Sequence, residues 1–395
     1  MIKKMSLMIC LLLLSGCWDK SELNEIAIAL AIGIDLIDDE YVVTAQVIVP
    51  SELSQNGGTG NSQITMLKAK DKSVLGAINK VTEASPRAIY PGHLQILVFG
   101  ETLAREKGIV ETVDSFTRNW EVRSDFFIAV AKDTNAEEIL KVQTPLEIAP
   151  IHMFYSIQQT AQNSGKSVRI SLIEIAQELE KVGKQPVLAK VELKGDTKKG
   201  ASKQNLEGIN PEAHLNMSGL SVFKKDKLVG WLEQEDTVNF NIITNHLKST
   251  VDTVSCPKEG NIELRINKAK SKLKGNVING QPKIDMNIKL SGNINAIACD
   301  IDLQDENIIK ELETNYEKQL KASMLKTIKK LQDEHHSDIF GFGRTIYEND
   351  PKGWNKIKDQ WTEELFAELE VIIEVEATIK NTGITNNSLL GNVKD

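Results

Sequence analysis

Apolar residues are spaced along this chain in two regimes, and the change between them falls near residue 207. Residues 26–36 and 41–49 are β-rich runs, and the Ile37-Asp38-Asp39-Glu40 step between them reads as a hairpin turn. Pro50 ends the second run, and 51–61, with Gly57, Gly58 and Gly60 among polar residues, reads as a loop and not as a phosphate cradle. Ser73 stands as a helix cap before Val74, Ile78 and Val81, which share one helical face. Continuous apolar runs at 94–99 and 126–131 predict buried strands, and 109–120 between them has helical spacing. Helical patterns recur at 136–142, 151–161 and 172–182, and 187–193 predicts a closing strand, so this half alternates helix and strand as an α/β layer does.

The polar stretch 194–207, with Gly195, Lys198, Lys199, Gly200 and Lys203, reads as a linker or an exposed loop. Beyond it the runs 220–223 and 228–231 flank Lys224-Lys225-Asp226-Lys227, a hairpin, and further strands are predicted at 248–254, 262–267, 273–278 and 284–290 in antiparallel meander order. A long helix over 306–331 carries Ile308, Leu312, Tyr316, Leu320, Met324, Ile328 and Leu331 as one narrow stripe, which suits a helix lying across a sheet. A second helix is expected at 356–369 with Ile357, Trp361 and Leu365 together, and Val371, Ile373, Val375, Ala377 and Ile379 alternate as a half-buried strand. The fold class read from this is multidomain α+β/α/β. It has a signal peptide at 1–16, an N-terminal α/β domain at 17–193, a linker at 194–207, a mostly antiparallel β domain with a long C-terminal helix at 208–385, and a tail at 386–395.

Composition adds direction. The 395 residues hold ample material for two cores, and a formal charge of −8 disfavours nucleic acid as a partner. The first sixteen residues run from Lys3 and Lys4 through an apolar stretch to Ser15 and Gly16, the order of a secretory leader, and the stretch is too short to span a bilayer. Leu14-Ser15-Gly16-Cys17 resembles the bacterial lipobox, which makes Cys17 the expected lipidation site and a diacylglyceryl group the membrane anchor. Of the other cysteines, Cys10 lies in the leader, while Cys256 and Cys299 either pair in an oxidising compartment or stand as two small buried hydrophobes; spacing does not decide.

No catalytic constellation emerges, so no catalytic, cofactor or metal residue is nominated. Gly341-Phe342-Gly343 reads as loop punctuation, since the third glycine of a dinucleotide motif is missing. His335 and His336 read as a solvated helix end, His93 as a loop histidine bonded to backbone, and Asp35 as a turn residue. Arg118 and Arg123, which bracket Trp120 and Glu121, read as partners in salt bridges or caps.

Several blocks taken in order carry a family resemblance. Gly16-Cys17-Trp18-Asp19, Glu22-Leu23-Asn24-Glu25 and Gly33-Ile34-Asp35 resemble the start of the Ger(x)C family, the C-subunit lipoproteins of nutrient germinant receptors in spore-forming bacteria. Pro91-Gly92-His93-Leu94, the run from Arg118 to Arg123, the run from Ser221 to Leu232, and Asp338-Ile339-Phe340-Gly341-Phe342-Gly343 with Tyr347, Pro351 and Trp354 are similar to later family blocks. Where the family often carries a Thr-Arg-Gly step, this chain has Asp236-Thr237-Val238-Asn239. The resemblance implies a non-catalytic lipoprotein on the outer face of the inner spore membrane, working in spore germination with integral-membrane A-type and B-type receptor subunits. The rival reading is a solute-binding lipoprotein that delivers a small nutrient to a membrane transporter; such proteins show two similar lobes, whereas this chain changes character midway.

Overall fold

The structure, a computed structural model, describes residues 26–49, 64–119, 121–144, 150–207, 209–257 and 259–382. The leader with Cys17, the glycine-rich loop at 51–61, Trp120 and the tail at 386–395 lie outside the described residues. Strand β1 (Ile26–Ile37) is buried on both faces along most of its length, as a central strand must be. It turns through Asp38 and Asp39, at φ 53° and 63°, into β2 (Glu40–Ile48), and two left-handed residues are what a tight two-residue hairpin needs. Beside β2 lies β3 (Ile64–Asp71), an edge strand that the spacing of apolar residues does not announce.

Helix α1 (Val74–Glu83) follows, with the Ser73 side chain accepting from the Gly76 amide as expected. Then come β4 (Ala88–Tyr90), β5 (Ile96–Phe99), α2 (Glu101–Glu106), α3 (Val110–Arg118) and β6 (Phe127–Lys132). After them run α4 (Ala136–Lys141), α5 (Pro150–Asn163), α6 (Leu172–Glu180) and β7 (Val187–Gly195). Strands β1, β5, β6 and β7 are parallel neighbours, which is the α/β layer the alternation predicts.

The polar stretch 194–207 is built into this layer. It carries two helical turns, α7 (Thr197–Gly200) and α8 (Gln204–Glu207), and Asn205 is fully buried between the carbonyls of Gln143 and Ala213. Next, β8 (Ala213–Asn216) pairs with β7, and the hairpin of β9 (Leu220–Lys224) and β10 (Lys227–Leu232) completes the same sheet in the order β10-β9-β7-β6-β5-β1-β2-β3. The change of character near 207 is therefore not a break between sheets, because Leu220, Val222 and Phe223 need the cover that this sheet offers.

The second sheet follows α9 (Gln234–Ile243) and has the order β11 (Thr250–Ser255), β12 (Asn261–Ile278), β13 (Gln281–Ile297), β14 (Glu370–Asn381). The strands predicted at 262–267 and 273–278 are one strand, carried through a bulge at Ile266/Lys268 beyond which the alternation resumes one residue out of phase, with Ser271 facing inward in the polar middle. Across the sheet lies α10 (Glu306–Lys330), burying Leu312, Tyr316, Leu320, Met324 and Ile328 as predicted. The helix expected at 356–369 is not one helix. After α11 (Phe342–Asn349), α12 (Pro351–Ile357) ends early and Trp361–Leu365 winds as a π turn, which brings Phe366, five residues past Trp361, inward in place of Leu365.

Helix side chains close the edges of this sheet. Asn245, Asn349 and Asp350 accept from the amides of Ser271, Gly275 and Val277 on β12, and Glu317 and Glu313 of α10 accept from Ala377 and Ile379 on β14. Occupied amides cannot template another strand. Cys256 and Cys299, left open by spacing, form a disulfide at the open end of the β12–β13 hairpin, with Cα atoms 6.6 Å apart.

Candidate functional site

Two of the sequence blocks meet at the N-terminal ends of the parallel strands. The Leu94 amide donates to the Pro91 carbonyl at 2.9 Å, which folds Pro91-Gly92-His93-Leu94 into a tight turn, and Gln95 then joins the sheet by donating to Leu30. Facing it, the Asn119 side chain accepts from the Glu121 amide at 3.0 Å and its carbonyl accepts from Val122. Between these turns opens a cleft of about 640 Å³, walled by Ile26, Leu75, Ile89, Tyr90, Glu121 and Val122 among others. That volume suits a bound side-chain cluster or small ligand.

On the far side of the Pro91–Leu94 turn is a hollow of about 460 Å³ with His93, Arg123, Phe127, Tyr155 and Arg169 on its walls. His93 is exposed, with its ring 5.9 Å from that of Tyr90, and among the described residues no backbone bond of the kind expected holds its side chain. Arg118 pairs with Asp114 along α3 at 2.8 Å and Arg123 with Asp125 at 2.9 Å, the salt bridges that the sequence suggests. Each arginine holds its partner's carboxyl below the usual carboxylate range.

Other blocks converge on Asp338. Its carboxylate is buried and accepts from the amides of Gly341, Phe342 and Gly343 at 2.8–3.0 Å and from the Trp361 indole at 3.2 Å. Burial pushes its pKa up to about 6, against the downward pull of those four donors. Gly341-Phe342-Gly343 is thus the start of α11, and Gly341 takes φ 77° to present the three amides. Ser337 beside it donates to the Phe223 carbonyl at 2.6 Å, which fastens this segment to the 221–232 hairpin block. Where the chain departs from the Thr-Arg-Gly step, Asp236 accepts from Thr327 and Lys330 and Asn239 donates to Ser323 and Thr327, so those residues tie α9 to α10.

Asp35 is not a turn residue. It lies buried in β1 and accepts from the Ala136 and Glu137 amides at 2.7 and 3.1 Å, capping α4; desolvation raises its pKa while the two amides oppose the rise. Nothing in local spacing marks it, because its partners are about a hundred residues away. Asp35→Ala is expected to cost about 2 kcal/mol, the price of leaving two buried amides unpaired, measured by urea unfolding. An unchanged midpoint would contradict the capping role.

His335 is half-buried against Gly230, with Nε2 unpartnered among the described residues and its pKa lowered by burial, while His336 is exposed at φ 46°. Only the second is the solvated helix end expected. Among the described residues no group of three His, Cys, Asp or Glu is placed to hold a metal, and no helix is long and apolar enough to cross a membrane.

Comparison with known proteins places these blocks. Residues 19–193 match the family described as spore germination protein N-terminal domain, and residues 218–383 match spore germination B3/GerAC like, C-terminal. Spore germination protein KC of Bacillus subtilis (strain 168) is 31% identical, with all of both chains covered. Spore germination protein B3 of the same organism is 26% identical over 96% of this chain and 98% of its own. The crystal structure of the GerBC protein superposes with a TM-score of 0.57 at 21% identity, covering 89% of this chain and 97% of that one, and so shares the fold.

Proposed function

The chain belongs to the Ger(x)C family of spore germination proteins, and from that premise we propose that it is the C subunit of a nutrient germinant receptor, lipid-anchored and without chemistry of its own. The match to protein KC across the full length of both chains carries the reading, because it covers both halves.

The finer parts rest on the sequence. A leader that ends in Leu14-Ser15-Gly16-Cys17 supports a diacylglyceryl group on Cys17, and two acyl chains at about 0.8 kcal/mol per buried CH₂ hold a protein stably on a bilayer. Export then puts the body on the outer face of the inner spore membrane, beside integral-membrane A-type and B-type subunits, where the tether raises effective concentration. Its surfaces serve contact with those subunits.

Cys17→Ala is the test. The variant is expected to fold and accumulate normally, to leave the membrane fraction, and to abolish the spore's response to nutrients. Spores that germinate normally with the unanchored protein at its usual level would refute the reading.

A further inference from the structure

The cleft beneath the Pro91–Leu94 turn has walls that state what fits it. Leu75 is 56% exposed there, and Ile26, Ile78, Ile89 and Val122 are only partly buried, so apolar surface stands open. Among the described residues no Lys, Arg or His lines it, and Glu121 is the one charged wall residue. An anion placed there would lose hydration and gain no cation among the described residues, which disfavours phosphates and carboxylates. An aliphatic segment flanked by a cation suits both the walls and Glu121.

Position narrows the source. Ile26, on the wall of the cleft, is the first residue of β1 and stands nine residues after Cys17. Nine extended residues span at most about 30 Å. With lipid on Cys17 the cleft is therefore held close to the bilayer surface, within reach of the water-exposed loops of a protein embedded in it.

We propose that this cleft seats an apolar segment of an integral-membrane subunit, with a Lys or Arg of that segment meeting Glu121. The proposal rests on the lipid-anchored reading above and adds to it the surface and the chemistry of the contact. Leu75 is the lip: it spends an exposed leucine on the face of α1 that looks into the opening, while the same helix buries Val74, Ala77 and Val81 on its other side.

The experiment uses the full-length, lipidated chain carrying Leu75→Lys and Asn79→Lys. Both positions are exposed, one helical turn apart on α1, and line the cleft, so the fold tolerates the change while the opening gains two positive charges that repel the cation of the partner segment and compete with it for Glu121. After detergent extraction of spore membranes, the amount of integral-membrane subunit retained by the tagged chain is expected to fall about tenfold or more. Ile209→Lys, at a fully exposed apolar residue elsewhere, is expected to retain it at the normal level. A photo-reactive phenylalanine analogue in place of Leu75 is expected to give a covalent adduct with an integral-membrane subunit. An adduct with phospholipid or a second copy of this chain, or full retention by the double variant, overturns the proposal. Full retention alongside a Cys17→Ala variant that fails to germinate leaves the anchored-subunit reading standing and the cleft proposal refuted; a harmless Cys17→Ala refutes the anchoring itself.

Discussion

Asp338→Asn is expected to lower the unfolding free energy by about 3 kcal/mol at neutral pH, although the substitution changes one atom and no volume. The reason is the sign of the donors. Oδ1 of Asp338 accepts from Gly341 and Phe342, and Oδ2 accepts from Gly343 and the Trp361 indole. An amide can satisfy the first pair through its own oxygen, but its NH₂ then confronts two N–H groups that point at it from Gly343 and Trp361. Flipping the amide only exchanges the pairs. Both halves of the molecule feel the loss, since Gln185, just ahead of β7, donates its amide to the Asp338 carbonyl at 2.8 Å, and Arg344 donates to Gly183 at 2.8 Å. A Cβ at Gly343 would sit 2.6 Å from the Trp361 nitrogen, so the four-donor geometry leaves little room to relax.

The same site gives a pH signature. In the unfolded chain the carboxyl titrates near 4, and in the folded protein at about 6, so the folded state binds the proton more tightly. Its contribution is fully present below about pH 4 and is lost as pH rises through 6. The asparagine has no proton to lose, so the stability gap between wild type and variant is expected to be larger at pH 4.5 than at pH 7.5. Urea midpoints at the two values check it; a gap that widens with pH would reverse the assigned sign.

What the sequence could show was whatever repeats. β1, β2, β14 and α10 have long apolar periods, and their predicted residues are the buried or half-buried ones. Short elements carry too few periods: α2 has six residues and β8 four, and neither was legible. Spacing predicts two strands where β12 is one because Lys268, Lys270 and Lys272 look like a loop, yet Ser271 among them is buried and the alternation resumes, one residue out of phase, past the bulge at Ile266/Lys268. The candidate site lay deeper still. The cleft draws on β1, α1, β4 and the end of α3, which are distant in sequence, so the blocks could be recognised as resemblances but not as neighbours. Asp338 had a local sign, an acid three residues before the first of the amides it caps, but two glycines at that point read more readily as a loop.

Removing the bridge with Cys256→Ala and Cys299→Ala is expected to cost about 2–4 kcal/mol. The bridge closes a span of 43 residues, for which loop-closure entropy alone predicts about 4 kcal/mol. Any pairing of β12 with β13 that the unfolded chain keeps around the two-residue turn at Asn279-Gly280 lowers that figure, because the span is then partly closed without the bridge. The lower half of the range is therefore the better expectation. Both cysteines are buried, so the loss adds a small packing deficit at the end of the sheet where β11 joins β12. Most of the effect acts through the unfolded chain, which gains freedom when the link is cut. Two readouts follow: the urea midpoint should fall, and the dependence of unfolding free energy on urea should steepen, since a more expanded unfolded chain exposes more surface. An oxidised wild type and a double variant with the same midpoint and the same slope would mean that the span is organised by its ladder alone.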